Sequence, residues 1–314
     1  PKNLKLLQNS TIFDTSKFIF MAFPPDTSAS PETNSFRNSY LRIVVPLKSS
    51  PALSQAYTRF YDPGIRVGKT LELMDFIAGR ICYRHLASLN DPEVFVVTAS
   101  VEGVDIHDVE LAANQDLVLE GFVSYTGRTT MEVKVVLLNE NSDVVMNASF
   151  IFVARSRQTP GLPPRPHPKV PPLDLSTDPQ PQPSNLLFAP GLAPPEQRAA
   201  NASASTAKSL PSPEEMANIH SNLMSPPPPD SILMSQAIAT KFEMSHASDK
   251  NLQGTVFGGL LMKDAFELGF VTAYRIGNGS YPKTSGIGDT TFFAPVPPGS
   301  ILFLTATPTF ALND

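Results

Sequence analysis

Between Pro160 and Pro229 the chain concentrates 19 of its 32 prolines. Each proline removes a backbone donor and turns the preceding residue away from the helical region, so this stretch cannot sustain regular structure for long. Pro171-Pro172, Pro194-Pro195 and Pro226 to Pro229 read as extended linker. The segment from Pro160 to about Ser212 is expected to be disordered or extended. A short helix is expected from Pro213 to Leu223, with Ser212 as cap, Pro213 at the first position and Glu214 and Glu215 in the first turn. The chain should therefore divide into an N-terminal extension over 1–38, a first domain over 39–156, a proline-rich linker over 157–229 and a second domain over 230–314.

On either side of the linker the same order of elements recurs. The first half is expected to open with a strand over Tyr40 to Leu47, followed by a helix from about Lys69 to Leu86. Strands follow at Val94 to Val101, Leu117 to Tyr125, Thr130 to Leu138 and Val144 to Ala154, rich in Val, Phe and Ile. The second half offers a strand over Ile232 to Glu243, a helix after Gly259, and strands near Thr290 and Ser300. In that helix Leu261, Ala265, Leu268 and Thr272 recur at helical intervals along the run from Leu260 to Tyr274. A single helix buries its apolar stripe on one face of a sheet. The expected fold class is α+β, a helix wrapped by antiparallel sheet, twice: a tandem hotdog fold. The second copy reaches Asp314 without counterparts of the last two strands of the first, so it reads as truncated at the C-terminus, with an unpaired sheet edge.

Composition narrows the chemistry. At 314 residues, 41% of them hydrophobic, the chain can build two ordinary cores. A formal net charge of -5 argues against a nucleic-acid partner, which needs concentrated Lys and Arg. Cys82 is the only cysteine, which excludes an intramolecular disulfide and a thiolate metal cluster. Its apolar neighbours suit a small buried hydrophobe. No stretch has the unbroken apolar length of a membrane span. The five histidines form neither H-E-x-x-H nor another close pair, and G-x-S-x-G is missing. Neither a metal nor a cofactor is expected, and a serine-nucleophile hydrolase is unsupported.

The densest functional signal runs from His246 to Glu267. A polar loop holding Asp249 and Asn251 leads through Gly254 into Gly258-Gly259 and the second helix. Two glycines at a helix start let backbone approach backbone and leave the first N–H groups free to face an anion. The helix dipole favours such a partner, and a thioester carbonyl becoming an oxyanion is one. Glycines at this place also serve helix–sheet packing alone.

With these residues in view, the chain resembles the acyl-coenzyme A thioesterase 9 family, the tandem-hotdog thioesterases of mitochondria. The resemblance runs from about Ser39 to Asp314 outside the linker. In the first half it rests on Ser39-Tyr-Leu-Arg-Ile-Val-Val-Pro-Leu, Arg66-Val-Gly-Lys-Thr-Leu-Glu-Leu-Met-Asp and Gly121-Phe-Val-Ser-Tyr-Thr-Gly-Arg-Thr-Thr-Met-Glu-Val. In the second it rests on Asn251 with Phe257-Gly-Gly-Leu-Leu-Met-Lys, and on Ala265-Phe-Glu-Leu. It implies hydrolysis of fatty acyl-CoA to free fatty acid and CoA without metal, a mitochondrial location, and assembly into a homo-oligomer. It also implies that an Asn in the polar loop of one half works with an Asp on the helix of the other. Asn251 and Asp75 match those positions, Asn251 aiming water or the carbonyl and Asp75 acting as base across the cleft between halves.

Other readings of these residues stand beside that one. Asn251 suits a turn, and Asp75 suits a solvated helix edge. Asp249 is a second candidate base or a turn former. Glu72 shares a helix face with Asp75, and Glu267 on the second helix has the same standing. Gly258 and Gly259 are the candidate oxyanion donors. Arg128, after the Gly127 turn, is a candidate for a CoA phosphate or a solvent-facing turn residue. The first half has Phe60, Tyr61 and Asp62 in register with Asn251, so one complete site is expected for the pair of halves. The rival functions are a hotdog hydratase or dehydratase, which a catalytic His such as His246 would mark, and a non-catalytic acyl-CoA-binding module.

Overall fold

A computed structural model of the chain describes residues 16, 18–21, 34, 36–109, 114–158, 161, 163–173, 212–226 and 232–309. In chain order the elements are β1 (Ile19–Met21), α1 (Phe36–Ser39), β2 (Leu41–Val45), α2 (Pro51–Tyr57), α3 (Val67–His85), β3 (Val94–Ile106), β4 (Leu117–Thr126), β5 (Thr130–Leu138) and β6 (Val144–Ser156). The second half supplies α4 (Pro213–Met224), α5 (Met234–Ala237), β7 (Ala239–Met244), α6 (Gly258–Ile276), β8 (Gly286–Ile287), β9 (Thr290–Thr291) and β10 (Ile301–Ala306). The architecture is mixed helix and antiparallel sheet.

Helix α3 is buried on almost every side, as a helix enclosed by its sheet must be, and Glu72, Asp75, Arg80 and His85 are buried with its apolar residues. Leu71, Leu73, Met74, Ile77, Ile81 and Cys82 are all fully or nearly fully buried. Each such side chain contributes on the order of 1.5–3 kcal/mol by leaving water. The sheet runs β1-β2-β4-β5-β6-β3-β8, with β9 also on β3, and every pair is antiparallel. Gly121 on β4 lets the helix come close. A Cβ there would sit 2.7 Å from Ile81 Cδ1 and 2.5 Å from the Lys134 carbonyl oxygen. Past His85 the helix ends through a turn closed by Asn90, whose φ of 47° lies in the left-handed region that Asn tolerates.

Four departures from the sequence reading have physical causes. Strand β3 continues past Val101 to Ile106 because two register shifts, at Thr98/Ser100 and Glu102/Val104, let it bend and pair with both β6 and the second half. The segment set aside as an N-terminal extension contributes β1, which pairs with β2. The strand expected from Ile232 begins only at Ala239, after one turn of helix at Met234–Ala237. Finally, residues 163–173 of the linker are extended, as prolines require, yet docked as a strap on the first half. Val170 is buried in the core and its N–H donates to the Arg128 carbonyl at 2.9 Å. Pro171 O lies 2.8 Å from Nε2 of the buried His85. The remainder of the expected disordered stretch, 174–211, lies outside the described residues. The helix at Pro213–Met224 forms where Ser212-Pro213 signals it.

The second half packs α6 against α3 and pairs β7 with β10. No counterparts of β5 and β6 occur among its described residues. Alternate side chains on the face of the β7–β10 ribbon away from α6, Phe242, Met244, Ile301 and Phe303, are exposed. No helix among the described residues is long and apolar enough to cross a membrane.

Candidate active site

Helices α3 and α6 meet through their N-terminal turns, and glycine makes the approach possible at each. A Cβ on Gly259 would sit 2.9 Å from Glu72 Cα and 3.0 Å from Glu72 O. A Cβ on Gly68 would sit 3.1 Å from Lys263 Cγ and 3.3 Å from Lys263 O. Gly68 and Glu72 thus stand to Gly259 and Lys263 as the two ends of an approximate two-fold pair. This fixes the register between the halves: Gly68 corresponds to Gly259.

At one end of that pair lies a cleft of about 750 Å³. Its walls are mostly apolar, with Phe76, Phe95 and Phe152 from the first half and Val256, Leu261 and Phe292 from the second. Asp75 opens onto it from α3 and is 1% exposed. Its Oδ2 accepts the Gly259 N–H at 2.7 Å, and its Oδ1 accepts the Thr98 hydroxyl at 2.9 Å. Thr98 continues the alternation of the buried Val94 and Val96 and so faces α3, while Ala99, at the register shift that follows, accepts Phe292 N–H from the second half through its carbonyl at 2.9 Å.

Burial raises the Asp75 pKa from 3.8 to about 6; the Thr98 and Gly259 hydrogen bonds pull it down, and the nearby Glu72 charge pushes it up. A raised carboxyl pKa means that the protonated form is the one folding favours. This contribution to stability is complete below about pH 4 and is lost as the pH rises through about 6. The cost at neutral pH is on the order of 3 kcal/mol. A carboxylate kept at such a cost is a functional-site signature.

Asn251 lines the same cleft from the loop before α6. Its Oδ1 accepts the backbone N–H groups of Gln253 and Thr255 at 3.0 and 3.1 Å, and its Nδ2 donates to Thr255 Oγ1 at 2.9 Å. It therefore shapes the turn and retains one amide hydrogen. Gln253 braces that loop on the first half through its 2.8 Å hydrogen bond to Tyr83 Oη. Gly258 lines the cleft at the first position of α6, whereas the Gly259 N–H is taken by Asp75.

The other candidates lie elsewhere. Asp249 caps its own turn, accepting His246 N–H at 2.6 Å and Ser248 Oγ–H at 3.0 Å, and is not part of the cleft wall. Glu72 is buried, with Lys69 Nζ 2.6 Å from its Oε2. Glu267 pairs with Arg66 at 2.6 Å across the halves, away from the cleft. The proposed phosphate role of Arg128 is not supported: it sits exposed on the β4–β5 turn, outside the cleft lining, and its carbonyl holds the strap. Asp75 is no solvated helix edge. Thr98 was missed although it continues the alternation of Val94 and Val96, which turns its hydroxyl to the helix side where Asp75 lies.

At the opposite end the equivalent positions are Phe60, in place of Asn251, and Phe266, in place of Asp75. That end carries a cluster of aromatic rings, with Phe60 and Tyr281 exposed at its rim. Tyr61 stacks on Tyr281 with centroids 3.9 Å apart and planes 7° apart, and on Phe270 at 5.8 Å. Phe60 meets both tyrosines edge-on.

No family model matches the chain. It is 32% identical over 295 residues, 88% of its length, to acyl-coenzyme A thioesterase 9, mitochondrial, of Homo sapiens, and spans 65% of that protein. It is 32% identical to the Bos taurus protein of the same name over 86% of its own length and 63% of the relative's. Among solved structures, an acyl-ACP thioesterase from Bacteroides thetaiotaomicron aligns over 85% of this chain and 86% of its own, at 11% identity and a TM-score of 0.47.

Proposed function

We propose that this chain, similar along most of its length to mitochondrial acyl-coenzyme A thioesterase 9, hydrolyses fatty acyl-CoA to free fatty acid and CoA. The observation that carries the reading is Asp75: a carboxylate buried at an apolar cleft between the halves, gripped by the first turn of the facing helix.

In this reading the acyl chain lies along the phenylalanine-lined wall. Asp75, poised near neutral pH, takes a proton from water as the water's oxygen attacks the thioester carbon. The carbonyl oxygen gains charge and is stabilised by the Gly258 N–H at the positive end of α6 and by the remaining amide hydrogen of Asn251. Gly259 positions the base through its N–H. When the carbon–sulfur bond breaks, the proton on Asp75 passes to the departing thiolate, releasing CoA thiol and the fatty acid. Among the described residues no histidine lines this cleft, which favours hydrolysis over hydration.

The architecture we infer is a tandem hotdog, with the second unit incomplete in β5 and β6 counterparts among the described residues. The domain division follows the same reading, with the strap counted to the first unit. By analogy with the relatives' names the protein acts in mitochondria. Assembly of several copies is part of the proposal, supported by the exposed apolar strip of Phe242, Met244, Ile301 and Phe303.

The test is release of CoA thiol from acyl-CoA, followed with a thiol-reactive dye. The wild-type chain should release thiol, and Asp75→Asn should lose at least about 100-fold in kcat, the lower range of general-base catalysis. Binding of acyl-CoA without thiol release by wild type would leave a binding module instead.

A further inference from the structure

Beside the apolar cleft lies a second, smaller cavity of about 250 Å³ that shares Phe95, Arg155 and Gln253 with it. Its remaining wall brings Arg155 and Arg157 together with His167. Arg155 is on β6 and Arg157 just beyond its end, two residues apart and so on the same side of the strand. His167 comes from the proline-rich strap, which is fastened at this point. Ser156 Oγ–H donates to Pro166 O at 2.9 Å, and the Gln158 side chain pairs with both the N–H and the carbonyl of Arg165 at 2.8 and 3.1 Å.

The charges here are poorly neutralised. Among the described residues neither Arg155 nor His167 forms an ion pair, and Arg157 meets only the half-exposed Glu93, at 3.7 Å. In a chain with a formal net charge of -5, two adjacent guanidinium groups at the mouth of an apolar cleft call for an anion. Arginine suits phosphate in particular, because its planar fork offers paired donors.

We infer that Arg155, Arg157 and His167 form a phosphate subsite that holds the 3′-phosphorylated nucleotide of CoA while the acyl thioester reaches Asp75. This rests on the acyl-CoA reading above. The strap thereby becomes part of the substrate site, and its prolines serve to hold His167 in an extended segment that neither frays nor folds back.

The experiment compares wild type with Arg155→Ser/Arg157→Ser and with His167→Gln. Steady-state rates are measured on an acyl-CoA and on the matching acyl-pantetheine, which lacks the nucleotide. Calorimetry measures binding of adenosine 3′,5′-bisphosphate and, separately, of inorganic phosphate. The double variant should raise KM for acyl-CoA about tenfold, equivalent to about 1.4 kcal/mol, with kcat within about twofold. Its KM for acyl-pantetheine should rise far less, since only Arg155 of the pair also lines the acyl cleft. The bisphosphate should bind wild type more tightly than inorganic phosphate and lose about tenfold in the double variant, with a smaller loss in His167→Gln.

An equal rise in KM for both substrates, or bisphosphate binding unchanged in both variants, overturns the inference. So does equal affinity for bisphosphate and phosphate, which would mark a general anion site. Because the calorimetric arm needs no turnover, a wild type that binds the bisphosphate through these residues yet releases no thiol would keep the subsite and reject the hydrolase reading.

Discussion

The two ends of the α3–α6 contact are each closed by a glycine set against the facing helix, and they hold opposite chemistry. At one end Asp75, Thr98 and Asn251 face an open cleft; at the other Phe60, Tyr61, Phe270 and Tyr281 pack face to face and edge to face. Both ends depend on a glycine that brings one helix onto the other. The side chains line one end with a buried carboxylate and the other with aromatic rings. Replacing a carboxylate by Phe266 removes the desolvation cost of a buried charge and substitutes apolar contact. One end of the interface thus carries the desolvation cost of a buried carboxylate, and the other avoids it.

That division makes stability and turnover separable. Tyr61→Ala removes a ring stacked between Tyr281 and Phe270. Aromatic pairs add about 0.5–1.5 kcal/mol each beyond area burial, so a loss of about 2 kcal/mol is expected. Chemical denaturation should show it, with kcat unchanged in the folded protein. A matching fall in kcat would mean that the aromatic end takes part in the reaction.

A smaller effect is expected from Thr98→Val. Its hydroxyl is one of two hydrogen bonds that hold the Asp75 pKa down against burial. In wild type, kcat/KM should rise with pH through about 6 as Asp75 ionises and then level off. Removing the hydroxyl favours the protonated acid, so the rising limb should move to higher pH. At a pH on the plateau of both proteins, a loss of about tenfold in kcat is expected from poorer aim of the base, since a charge-assisted hydrogen bond is worth about 1.5–3 kcal/mol. A limb that stays in place or moves to lower pH would remove Thr98 from the base's environment.

How much of this was open to sequence reading differs by kind of residue. The long helices and the strands over Leu117 to Tyr125 and Thr130 to Leu138 are written in periodicity and β-branched content, and they form. The glycines before the second helix announce a close approach, and the approach is made to Glu72. Asp75 was picked out by resemblance, while its burial depends on how α3 sits in its sheet, and periodicity says little about a helix buried on nearly every side with its charged residues included. Thr98 stands in phase with Val94 and Val96, so its side was open to reading while its partner on α3 was not. The strap required Val170 to find the core, and the basic cavity required the strap to turn back along β6; no local pattern announces either docking.

The weakest expected effect sharpens the comparison most directly. Glu267 is the one carboxylate that α6 carries on its contact with the first half near the aromatic end, and the two-fold register sets it opposite Phe76, a residue of the cleft wall. It pairs with Arg66 at 2.6 Å, but both side chains are about two-fifths exposed, at 38% and 40%. Water and salt screen such a pair, so its contribution is at most about 1 kcal/mol. Glu267→Gln should therefore lower stability by less than about 1 kcal/mol, and by less still at high ionic strength, while leaving kcat and the pH limb where they are. If Glu267→Gln instead lowered kcat as far as Asp75→Asn does, the aromatic end would hold a second working carboxylate. The asymmetry between the two ends would then be one of packing alone.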